Sequence, residues 1–115
     1  MNFGLTDTTL AAIREILARH PSVHKAFVFG SRALGRETVQ SDVDIALAGE
    51  IDALEAEGIA LELEELPVAV KFDLQVIADI HNPSLSEHIA RAGQLLYLRS
   101  PVHSAASGST ALPLI

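Results

Sequence analysis

Residues 26–48 read AFVFGSRALGRETVQSDVDIALA, and the rest of the chain is organised around them. Ala26 to Phe29 ends an apolar strand, Gly30-Ser31 makes a turn, and a polar connection leads to a second apolar strand from Asp42 to Ala48. Strand side chains alternate between faces, so Asp42 and Asp44 point one way while Val43, Ile45 and Leu47 point the other. Two carboxylates one strand repeat apart (~6–7 Å) repel by roughly 2–3 kcal/mol at an effective dielectric near ~20. A divalent cation relieves that repulsion, and hard oxygen ligands suit magnesium. The turn facing them lacks a Cβ at Gly30, which lets backbone approach a ligand, and turn amides backed by a helix bind anions. Ser31 adds a hydroxyl and Arg32 a guanidinium. The stretch reads as a metal site opposite a phosphate-binding turn.

The flanking elements support an α/β domain. Thr6 to His20 carries Leu10, Ile13, Ile16 and Leu17 at helical spacing, with Thr6 or Asp7 as cap and Pro21 as stop. Val23 to Phe29 is the first strand, and Ala33 to Arg36 begins a short helix. Ile51 to Leu66 is a second surface helix with Leu54, Ile59, Leu61, Leu63 and Leu66 on its apolar side and its glutamates on a solvated face. Val68 to Ala78 is a third strand with Asp73 between Phe72 and Leu74. A carboxylate amid apolar strand residues is costly to bury unless paired or metal-bound; the alternative is an edge strand facing water. With Asp42 and Asp44 in hand, Asp73 reads as a third ligand, which requires the second and third strands to be neighbours. Asn82-Pro83 opens a last helix closed by Gly93, and Gln94 to Arg99 is a short fourth strand. The fold class is therefore α/β: helices packed on a twisted mixed β-sheet. Residues 1–99 form the domain and 100–115, small and polar, a flexible tail.

Composition narrows the function. With 115 residues the chain has room for one core, and 8 basic against 15 acidic side chains give a net charge of −7. That balance disfavours phosphate-backbone binding, hence nucleic-acid readout. The absence of cysteine removes thiolate metal sites, and no apolar run approaches a membrane span, so a soluble cytoplasmic protein is expected. Gly30, Gly35 and Arg36-Glu37 imitate a nucleotide-binding P-loop, but Glu37 places negative charge where a magnesium-binding hydroxyl is needed.

Gly30-Ser31, ten residues, Asp42-Val43-Asp44 and then Asp73 in an apolar strand together resemble the polymerase-β-like nucleotidyltransferases. The small size, the Asn82-Pro83-x-Leu85-x-x-His88-Ile89 segment and Leu96-Tyr97 resemble the minimal (MNT) branch of that superfamily. The resemblance implies a polymerase-β-like palm. It implies Asp42, Asp44 and Asp73 as catalytic residues and ligands of two Mg²⁺ ions, with Gly30, Ser31 and Arg32 on the triphosphate of ATP. It also implies a hetero-oligomer with a helical HEPN toxin that the MNT antitoxin silences by transferring AMP onto a tyrosine hydroxyl. Transfer to a small molecule, as in aminoglycoside-modifying relatives, is disfavoured because no added helical domain is present to shape an acceptor pocket. A non-catalytic antitoxin acting by contact alone is disfavoured by the intact acids.

Overall fold

The computed structural model describes residues 2–99. The order is α1 (Asp7–Ala18), β1 (Val23–Phe29), β2 (Val43–Gly49), α2 (Ala53–Glu64), β3 (Phe72–Val76), α3 (Pro83–Ala92) and β4 (Gln94–Leu98), with 3₁₀ turns at Gly30–Arg32 and Ile77–Asp79. The four strands form one sheet in the order β3-β2-β1-β4. β1 pairs antiparallel with β2 and β4, whereas β2 and β3 run parallel, so the sheet is mixed as expected. The proposed tail, 100–115, lies outside the described residues.

Alternation sorts the sheet into two unlike faces. Val43, Ile45 and Leu47 of β2 join Ala26 and Val28 of β1 in the main core, where α1 contributes Leu10, Ile13, Ile16 and Leu17 and α2 contributes Ile59 and Leu63. The opposite face holds a smaller cluster of Phe29, Ala46 and Ile89, covered by α3. Asp44, between Val43 and Ile45, belongs to this second face. Side-chain caps open the helices: Thr6 Oγ1 accepts from the Thr9 amide at 3.1 Å and Asn82 Oδ1 from Ser84 at 2.9 Å, as the sequence suggests, and Asp52 Oδ1 accepts from Glu55 at 2.8 Å.

Three expectations are corrected. The short helix expected from Ala33 to Arg36 does not form: the chain makes the 3₁₀ turn Gly30–Arg32 instead, and Gly35, inside the expected helix, stands at φ +71°, which a right-handed helix does not accommodate. The third strand is shorter than 68–78, because its ladder with β2, its single sheet partner, runs only from Val43↔Phe72 to Leu47↔Val76. On α2, Leu54 (78% exposed) and Leu61 (62%) stay outside the core. The buried stripe passes through Ala56, Ile59, Leu63 and Leu66, the 3–4 spacing of one helix face. No helix among the described residues is long and apolar enough to cross a membrane.

Candidate active site

The turn after β1 is built to admit a carboxylate. Gly30 sits at φ +74°, and a Cβ placed on it would overlap Asp44 Oδ2, so the acid occupies the space a side chain would fill. Behind the turn, the Gly30 amide donates to His88 Nε2 at 3.1 Å. The imidazole also packs edge-on against Phe29, ring centroids 6.2 Å apart and planes at 74°. Ser31, half-buried, follows in the first turn of the 3₁₀ segment.

The acids are brought together by register. Phe29 stands opposite Asp44 across the antiparallel pair, and Asp44 is in register with Asp73 across the parallel pair. In-register neighbours in a parallel ladder share a face, so Asp44 and Asp73 lie side by side on the second face of the sheet. Asp42 precedes β2 by one residue and is exposed, as is Asp73. β3 is an edge strand, so Asp73 is spared the burial cost that the sequence suggested. Its place in the site comes from register alone.

Burial and like charge together disfavour ionisation of the central acid. Asp44 has its pKa raised, first by burial and then by the charges of Asp73 and Asp42, with the charge of Arg32, and that of His88 when protonated, acting the other way. Among the described residues no three His, Cys, Asp or Glu side chains are drawn in tightly enough to form a ready metal cluster. The donor set nevertheless fits a hard divalent ion: oxygen ligands only, one partly buried, each raising the cost of ionising Asp44.

Arg32 does not line the turn. It is 2% exposed, and its guanidinium donates to the carbonyls of Phe3 (2.8 Å), Ser41 (2.9 and 3.2 Å) and Thr38 (3.4 Å). The expected phosphate contact is replaced by a clamp. Four of the five donors in this planar fork satisfy carbonyls from two separate segments, which leaves little to offer a ligand. Its influence on the site is indirect: it fixes Ser41, the residue before Asp42, and its charge favours ionised Asp44.

His88 is a site residue that sequence reasoning did not single out, though a signal existed. It falls three residues after half-buried Leu85 and just before buried Ile89, on the border of the apolar stripe of α3.

Comparison with known proteins identifies the family and the fold. The family described as "Polymerase beta, Nucleotidyltransferase" matches residues 11–102. A Methanocaldococcus jannaschii protein named as a protein adenylyltransferase is 33% identical over 91 residues, covering 70% of this chain and 91% of that protein. Among solved structures, a toxin–antitoxin complex with AMP-PNP superposes with a TM-score of 0.66 at 20% identity, over 83% of this chain and 77% of that one. A complex of a tri-AMPylated Shewanella oneidensis HEPN toxin with its MNT antitoxin gives 0.63 at 17% identity, over 87% and 78%. At these identities the structural likenesses establish a shared fold.

Proposed function

The chain belongs to the polymerase-β nucleotidyltransferase family, and on that premise we propose that it is a magnesium-dependent protein adenylyltransferase acting as the antitoxin of a HEPN toxin. The reaction moves AMP from ATP to a tyrosine hydroxyl of the partner. The observation that carries this reading is the pairing of Asp44 with Asp73 directly against the left-handed turn at Gly30.

Asp42, Asp44 and Asp73 would hold two magnesium ions, which when bound would neutralise the triphosphate and acidify the acceptor hydroxyl. Ser31 Oγ donates to a phosphate oxygen and fixes the nucleotide over the turn. Asp73, exposed on the outer strand, accepts the hydroxyl proton as the acceptor oxygen bonds to the α-phosphorus. The bond to pyrophosphate breaks as the new one forms. The named relatives support protein as the acceptor class: one is a protein adenylyltransferase, and one complex contains an AMPylated toxin.

The test is incubation of the protein with labelled ATP, magnesium and a HEPN protein, taken first from the neighbouring gene if one is encoded there. Label is expected on that protein, and Asp44→Ala or Asp42→Ala should reduce transfer by roughly 10³-fold, the scale of losing a principal electrostatic stabiliser. Transfer near the wild-type rate by either variant would end the assignment. Label on a small molecule, or none with the toxin still silenced, would favour the two alternatives.

A further inference from the structure

The Gly30 amide, the first donor a phosphate would meet at this turn, is already engaged. Its hydrogen points at His88 Nε2, 3.1 Å away and 58 residues on in the chain. A backbone N–H can only donate, so Nε2 must present a lone pair and the ring proton resides on Nδ1. The imidazole is held for this task from two sides. Its edge contact with Phe29 fixes the ring plane. The helix phase is fixed by the Asn82 cap at one end of α3 and by Ile89, 7% exposed, packed with Phe29 and Ala46.

We infer that His88 is a positioning residue for nucleotide binding, acting as a hydrogen-bond acceptor that pins the Gly30-Ser31 turn in its left-handed form. The inference rests on the reading of this turn as the phosphate grip. It changes the role of Gly30: the glycine contributes room for Asp44, not a phosphate-binding amide, and the grip begins at Ser31. Without the acceptor, the Gly30 peptide is free to rotate, and its neighbours Ser31 and Asp44 lose their fixed separation. A turn that must be ordered anew binds nucleotide more weakly.

Two substitutions separate this role from simple packing. His88→Phe keeps a ring against Phe29 but has no acceptor; His88→Gln discards the ring but retains an acceptor in its Oε1. Calorimetric titration with Mg²⁺–ATP should show His88→Phe weakened by about 3- to 10-fold, the worth of one hydrogen bond, and His88→Gln restored to within about twofold of wild type. Phe matching wild type, or Gln as weak as Phe, overturns the inference. Unaltered protein provides a second measurement, immune to folding defects: long-range ¹⁵N–¹H spectra of the imidazole should show Nε2 unprotonated at neutral pH. An Nε2–H tautomer would contradict it. If wild-type protein fails to bind Mg²⁺–ATP at all, the nucleotide reading itself has failed, an outcome distinct from wild type binding with His88→Phe unaffected.

Discussion

Replacing Asp44 by asparagine should make the metal-free protein more stable while abolishing transfer. The carboxyl of Asp44 has a raised pKa in the folded state, from burial and from Asp73 and Asp42. A folded-state value above the unfolded one means the folded protein prefers the neutral acid. The associated stability is fully present below the ordinary carboxylate range and is lost as pH rises through the raised value. At neutral pH the ionised group therefore weakens the fold, and the isosteric amide removes the charge. Like charges directly opposite one another in a sheet cost up to about 1 kcal/mol, and solvent screening of exposed Asp73 keeps the effect near that size. For a domain of this length, such a gain raises Tm by about 3–6 °C. Thermal melts in EDTA at neutral pH should show the Asn variant above wild type, with the gap closing in acid. Magnesium should then raise wild type and leave the variant little changed, since only the wild-type site gains from binding. An Asn variant melting below wild type in EDTA, or a gap that widens on acidification, would refute the electrostatic account of the site.

Two further substitutions probe the turn and its clamp. Gly30→Ala imposes a side chain at φ +74° and drives its Cβ into Asp44 Oδ2, so a loss of about 1–3 kcal/mol is expected in urea unfolding; an unchanged midpoint would show that the turn relaxes freely. Arg32→Lys replaces a planar fork serving the carbonyls of Phe3, Thr38 and Ser41 with a point charge, and should cost about 2–3 kcal/mol by the same measurement. A Lys variant as stable as wild type but defective in ATP binding would return Arg32 to the phosphate.

What the sequence made legible was what local pattern and spacing govern. β1 lies at Val23–Phe29 as read, the caps at Thr6 and Asn82 form, and the demand that Asp73 neighbour Asp44 is met by the parallel register. The misreadings share a physical cause: each depended on partners remote in the chain. An arginine beside a glycine-serine turn looks like a phosphate ligand until carbonyls from 29 residues upstream and nine downstream claim its donors. The glutamates of α2 look uniformly solvated, yet Glu55 and Glu62 flank the ring of His20 at 3.3 and 2.8 Å, where α1 ends beside α2. The role of His88 is invisible in the sequence because its partner is a peptide N–H, which carries no residue-type signature.

The Arg32 clamp ties Phe3 to the segment that leads into the candidate active site. Its shortest bond, 2.8 Å, goes to the carbonyl of Phe3, itself 3% exposed and wedged into the main core. The same guanidinium holds Ser41, and Ser41 leads straight into Asp42. A purification tag or a trimmed leader that unseats Phe3 would therefore register as a kinetic defect, with every acid and the glycine-serine bend chemically intact.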